Sequence, residues 1–230
     1  MDFARTRISL RRNPLSYSKV QTALSAIGIM QLLSWLFRGH SIFIDRRRIR
    51  GREYLDVGCG MHPHSDFINL DYDWRPGIDV CWSVAKPLPF RNRTLHGIFS
   101  EHCLEHVPFE VCDFALSEFR RVLAPGGIVR IVMPDGALYL RRYAAGEPLP
   151  YGENEMSAMF SVNRVFRDYG HQFIYDFNTL RQMLERQGFQ DIRLESFMQG
   201  RDPKLLIDTP ARAIESFYVE AVSACQSTLK

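Results

Sequence analysis

YLDVGCG (residues 54–60) is a short hydrophobic strand running into two glycines, and FINLDYD (residues 67–73) is a second strand ending in acid. Only MHPHSD lies between them. A right-handed crossover between parallel strands usually takes about a dozen residues or more, most of them helical. The segment therefore predicts two parallel strands joined by a connection from which the usual helix is missing.

Further along, GIDVCW (77–82), GIFS (97–100) and GIVRIVMP (127–134) are apolar runs short enough to be buried strands. They alternate with amphipathic segments, the pattern of a parallel α/β sheet. A helix is predicted from near Pro108, with Val111, Phe114, Ala115, Val122 and Leu123 on one face and Phe119 between; Ala124-Pro-Gly-Gly127 ends it. Another is predicted over Asn178 to Gln187, capped by Asp176 or Asn178, with Leu180, Met183 and Leu184 inward and Gly188 just past its end. FQDIRLESF then reads as a strand. Between Leu140 and Gly170 the periodicity weakens, and Pro148, Pro150 and Gly152 predict an irregular insertion or lid over the carboxyl ends of the strands.

The chain has 230 residues, 46% of them apolar, enough for one domain with an appendage. Its five cysteines, Cys59, Cys81, Cys103, Cys112 and Cys225, contain no C-x-x-C pair, which argues against a disulfide framework or a cysteine-rich zinc site and for a reducing, cytoplasmic setting. The net charge of +3 conceals an asymmetry, since residues 1–52 hold 11 Lys/Arg against two acids. Within that basic part, Val20 to Phe37 carries no charge, and Gln21, Ser25, Gly28, Gln31 and Ser34 recur every three or four residues. This predicts a helix with one narrow polar stripe. Packing on the domain, lying in a membrane interface and spanning the bilayer all remain open for it. Basic residues flank it on both sides, so no positive-inside bias orients a span, and no cleaved signal peptide is expected. The expected division is a basic N-terminal extension with an amphipathic helix (1–51) and a catalytic domain (52–230).

In order along the chain, LDVGCG, NLD, KPLPF, FRRVLAPGG with its following strand, and LRQMLERQGF resemble the motif series of class I S-adenosylmethionine (SAM) dependent methyltransferases, of the type 11 kind. The likeness runs from about Arg52 to Phe197. It implies a Rossmann-like, seven-stranded, mostly parallel sheet, SAM as cofactor and methyl transfer as the reaction. The short link after Gly60 is similar to a subgroup with a reduced first helix, common beside glycan-assembly genes. That implies O-methylation of a sugar or glycan intermediate, with peripheral membrane association through residues 1–50 and no nucleic-acid partner. A small-molecule O- or N-methyltransferase, or a catalytically silent methyltransferase-like subunit, are the alternatives.

The resemblance also assigns cofactor residues. Gly58 and Gly60, with Cys59 between them, would let the backbone turn sharply and approach SAM closely. Asp56 would fix that turn or reach the methionine amino group, and Asp71 would accept from the ribose hydroxyls. Both acids could instead merely cap strand ends. The third motif usually carries an acid beside the adenine; Ser83 stands there, which shifts the anchor towards the Val84 backbone. Glu101, at a strand's carboxyl end, is assigned to the cofactor side.

SEHCLEHVP (100–108) is the second informative stretch. If a helix begins there, His102, Glu105 and His106 share one face. The segment resembles the E-x-x-E-H of ubiquinone-pathway and small-RNA O-methyltransferases, which with a later histidine holds magnesium. Here His102 replaces the first glutamate, and His171 in YGHQF would be the later histidine. Three imidazoles and one carboxylate suit zinc or manganese better than magnesium. The preferred reading is metal-free, with a histidine removing the acceptor's proton or orienting it, and no metal ligand is assigned. Simple packing of Leu104 and Val107 under the sheet is the third possibility. His62 and His64 read as polar turn residues, while Tyr139, Arg141, Arg142 and Tyr143 either border a polar acceptor or form an ordinary helix surface.

Overall fold

The computed structural model describes residues 47–149 and 157–224, with the backbone of Phe43–Ile44. The helix expected over Val20 to Phe37, and with it the membrane reading, lies outside the described residues, as do Pro150, Gly152 and Cys225. The strands are β1 (Phe43–Ile44), β2 (Tyr54–Val57), β3 (Ile68–Asp71), β4 (Val80–Cys81), β5 (Leu95–Glu101), β6 (Leu123–Pro134), β7 (Phe189–Glu195) and β8 (Ser216–Ser223). They form one sheet in the order β1-β4-β3-β2-β5-β6-β8-β7. The expected seven-stranded, mostly parallel sheet is present, with β8 antiparallel to β6 and β7. Two residues of the basic extension add β1, antiparallel to β4, at one edge.

No helix separates β2 from β3. The amides of Gly58 and Cys59 both donate to the Leu70 carbonyl, folding the link onto β3. Asn69, buried in β3, accepts from the His64 amide and donates back to the His64 carbonyl. One amide side chain thus supplies partners that a helix would otherwise have given the link.

Helix α1 (Phe109–Val122) turns Cys112, Ala115, Leu116, Phe119 and Val122 inward. This corrects the expected face by about one position: Phe114 is exposed, Val111 lies at the edge of the stripe, and Leu123 already belongs to β6. The stretch expected to be irregular holds two short helices, α2 (Gly136–Ala145) and α3 (Ala158–Arg167). They pack through Tyr139, Leu149 and Val165 in a small cluster of their own at the carboxyl end of β6. Helix α4 (Phe177–Arg186) forms as read, with the Asp176 carboxylate accepting from the Thr179 amide and Leu180, Met183 and Leu184 buried. The strand read over 77–82 is shorter, only Val80–Cys81. No helix among the described residues is long and apolar enough to cross a membrane.

Two buried ionic knots tie the ends of the sheet. Arg130 in β6 is fully buried, donating to both oxygens of Asp208 (2.8 and 2.6 Å) and to Glu220 in β8 (3.2 Å). Its remaining donors reach the Gln199 and Ser196 carbonyls, so the segment between β7 and β8 is sewn to the sheet. On the other side, buried Asp79 pairs with Arg48 and Arg52. Truncating Arg130 leaves two carboxylates uncompensated in the interior, so Arg130→Ala should cost about 3–5 kcal/mol. The shift in urea midpoint at unchanged slope measures it.

Candidate active site

The glycine turn and the second acidic strand end are one hydrogen-bonded unit. The Gly60 amide donates to one oxygen of Asp71 and the Asp73 amide to the other, both at 2.8 Å. A carboxylate offers about four acceptor sites, so each oxygen keeps capacity for a further donor. Gly60 has φ +56° and open space where a Cβ would stand. Gly58, at φ +76°, is different: a Cβ there would lie 2.4 Å from the Cys103 sulfur. The sequence reading made Gly58 a clearance for a ligand, whereas the close neighbour it must admit is Cys103 of the loop after β5.

Asp56 is buried in β2. Burial first, then the charges of Glu101 and Asp71, hold its pKa well above the ordinary carboxylate value. Burial likewise raises the Cys59 thiol and, against two backbone donors, Asp71. Ser83 does not present a free side chain, since its Oγ accepts from the Ala85 amide in a turn; Val84 packs partly against the core. Glu101 requires correction too: its oxygens accept from the Thr209 amide and hydroxyl, fastening the loop before β8.

After β5 the chain forms no regular helix. His102 sits at φ +47° and a 3-10 turn spans Leu104–His106. This still gathers the side chains: Glu105 Oε1 lies 3.5 Å from His102 Nδ1, 3.9 Å from His106 Nε2 and 3.9 Å from His171 Nε2. His171 arrives because the Gln172 amide donates to the Glu105 carbonyl and the Gln172 side chain to the His106 carbonyl. His171 Nδ1 faces the Val165 carbonyl of α3, so Nδ1 carries the proton and Nε2 a lone pair. Glu105 is fully buried, and neither of its carboxylate oxygens has a hydrogen-bond partner. Burial pushes its pKa up to about 8. Burial also lowers His106 to about 4, with the His171 charge adding to it, and lowers His171.

His102 is the member that the sequence misjudged. The Arg212 guanidinium, which can only donate, reaches His102 Nδ1 at 3.1 Å, and Nε2–H donates to the Ser216 hydroxyl at 2.7 Å. Both ring nitrogens are occupied, and burial with the Arg212 charge lowers the group to about 2. It is a neutral strut, unsuited to act as base. Arg212, Ser216 and Thr209 were missed, because nothing in TPARAIES signals a return to residues more than a hundred positions earlier. Tyr139 is buried and donates to Glu215, Arg141 pairs with Asp135, Arg142 with Glu147, and Tyr143 is exposed. His64 and His62 hold the β2–β3 link through their backbones.

All these groups lie at the carboxyl ends of the parallel strands, where open α/β sheets bind their ligands. Residues 32–194 match the family model of a methyltransferase domain. The chain belongs to that family. This methyltransferase is similar in structure to a SAM-dependent methyltransferase from Archaeoglobus fulgidus at 16% identity, covering 84% of this chain and 94% of that one, with a TM-score of 0.50. That likeness establishes the fold. Weaker ones are a possible histamine N-methyltransferase from Thermotoga maritima (13% identity, 85% and 92% covered, TM-score 0.48) and phosphoethanolamine N-methyltransferase 2 of Haemonchus contortus with SAM (15%, 92% and 56%, 0.47). No curated protein matches the chain.

The buried Glu105 gives the methyltransferase a distinctive pH dependence. Its folded value, about 8, lies above the ordinary 4.5, so the folded protein holds an extra proton between those limits. That contribution to stability is complete below 4.5 and is lost as pH rises through 8. Glu105→Gln removes the titration. In metal-free protein its melting temperature should therefore rise relative to wild type between about pH 5 and about pH 9.

Proposed function

We propose that this methyltransferase takes SAM as methyl donor and methylates an oxygen of a polar acceptor, a sugar or glycan intermediate. The observation that carries this reading is the Gly58–Cys103 contact, which sets the Asp71–Gly60 turn beside the loop bearing Glu105 and His106. The acceptor class rests on the shortened β2–β3 link, similar to that of enzymes found beside glycan-assembly genes.

The residues fit SAM. Asp71 keeps acceptor capacity for two ribose hydroxyls, Gly60 leaves the backbone open to close approach, and Asp56 with Cys59 lines the methionine side. The Ser83–Val84 turn borders the adenine. When bound, SAM supplies a methyl group on a sulfonium, open to in-line attack. The chain's own task is to hold the acceptor oxygen against that carbon and to assist loss of its proton. His106 is the residue for this: its side chain is 39% exposed while Glu105 and His171 are buried, and its lowered pKa keeps the imidazole neutral at pH 7. As the oxygen–carbon bond forms and the carbon–sulfur bond breaks, the hydroxyl proton leaves by way of this cluster.

The basic extension supports an acceptor presented at a lipid surface. Because β1 is antiparallel to β4, with Phe43 opposite Cys81, the chain enters the sheet from its carboxyl-end side, the side of the site. Removing residues 1–42 should lower flotation with anionic vesicles, an effect weakened by salt; unchanged flotation would exclude this role.

Calorimetry should give one SAM per chain, with Asp71→Ala weakening it by about 1.5–3 kcal/mol, the scale of a charged hydrogen bond. His106→Ala should cut turnover on a glycan acceptor far more than SAM affinity. Folded protein that binds no SAM would remove the cofactor assignment, and normal turnover in His106→Ala would remove the role of the cluster.

A further inference from the structure

We infer that Glu105, His106 and His171 form a three-donor site for a divalent cation of the zinc class, and that His102 stands outside the ligand set. The inference deepens the reaction proposed above and rests on it only for the ion's use, not for its binding.

Three observations converge. One carboxylate oxygen and two imidazole nitrogens from these residues all lie within 4.8 Å of one another. Donors about 2.0–2.2 Å from a tetrahedral ion stand about 3.3–3.6 Å apart. The two 3.9 Å separations from Glu105 Oε1 thus need to close only slightly, and the two histidines need to draw together by about 1 Å.

Glu105 is a fully buried carboxylate with both oxygens unbonded, and an acid so placed is costly unless a cation or donor compensates it. His171 is already oriented as a ligand. Its Nδ1–H is spent on the Val165 carbonyl, leaving the Nε2 lone pair towards Glu105, the arrangement by which outer contacts set a metal-binding histidine.

His102 offers no lone pair. Arg212 covers Nδ1 and Ser216 takes Nε2–H. The Arg212 charge, which opposes a nearby cation, is itself balanced by Glu215 at 3.7 Å. Two imidazoles and one carboxylate form a borderline donor set, matched to zinc, whereas magnesium prefers oxygen ligands and octahedral geometry. Three protein donors leave a position open beside part-exposed His106, and an ion there would acidify an acceptor hydroxyl bound to it.

The test uses the full chain stripped with a chelator and titrated with zinc chloride in a calorimeter. One zinc per chain should bind and raise the melting temperature, and millimolar magnesium should neither bind nor compete. Glu105→Gln and His171→Ala should each weaken zinc by at least about 100-fold, while His102→Ala changes it less than about threefold. Cobalt in place of zinc should give visible absorption bands of a four- or five-coordinate ion, lost in His171→Ala. SAM binding by the same variants reports that they are folded.

Absence of stoichiometric zinc, or zinc affinity indifferent to both Glu105→Gln and His171→Ala, overturns the site. If no zinc binds and yet His106→Ala abolishes turnover, the cation is excluded and the methyl-transfer reading stands. If zinc binds as stated but the protein takes no SAM, the reverse holds.

Discussion

The missing Cβ of Gly58 is the constraint on which the site depends. At that point the turn leaving β2 and the loop leaving β5 meet, with the Cys103 side chain filling the space that any other residue at 58 would claim. The turn's φ of +76° and this contact both call for glycine, so neither a smaller neighbour nor a relaxed backbone alone would release the position. Through that contact, the Asp71–Gly60 unit and the Glu105–His106 turn become parts of one rigid surface. Burial raises the Cys103 thiol, and the Glu105 and Asp71 charges add to it, which places Cys103 between the two halves.

Charge burial elsewhere in the molecule makes Glu105 stand out. Asp79 is held by Arg48 and Arg52, and Asp208 and Glu220 by Arg130. Each of those acids is inaccessible to solvent and each has a guanidinium in contact, as the cost of an isolated buried charge demands. Glu105 is equally buried but faces imidazoles, groups that are neutral when burial lowers their pKa. The fold thus solves the same electrostatic problem with arginine where stability is at issue and leaves it open at the cluster. Strained or unsatisfied groups of this kind concentrate where a protein binds or reacts.

Much of this was legible because it is local. The strand-glycine turn, Asp71 at the end of β3, the cap and inner face of α4, and the nearness of Glu105 to His106 are all properties of fewer than a dozen consecutive residues. The face of α1 was misjudged because Val111 and Phe114 are as apolar as the residues truly buried, and only the angle at which the helix meets the sheet separates them. Helices α2 and α3 were hidden because each is short and exposes large side chains such as Leu140, Met159 and Phe160, which blur the periodicity. Gly58 was read correctly as a necessary glycine, but its neighbour is 45 positions away and leaves no mark on the local sequence. The same holds for Arg212, Ser216 and Thr209, brought in by the antiparallel return of β8 beside β6.

That return also divides the histidines into two kinds. His102 is held by the turn before β8 and by the first residue of β8, both anchored to the sheet, where Ser216 pairs with Pro134. His171 is held instead by the Val165 carbonyl of α3, within the small cluster of α2 and α3 that packs apart from the main core. A shift of that cap against the sheet would move His171 relative to Glu105 while leaving His102 in place. The cap therefore controls two things at once, the separation of the donor atoms around Glu105 and the exposure of the site. Closing it would exclude water at the moment the histidine draws in, the coupling that methyl transfer to a hydroxyl in competition with solvent requires.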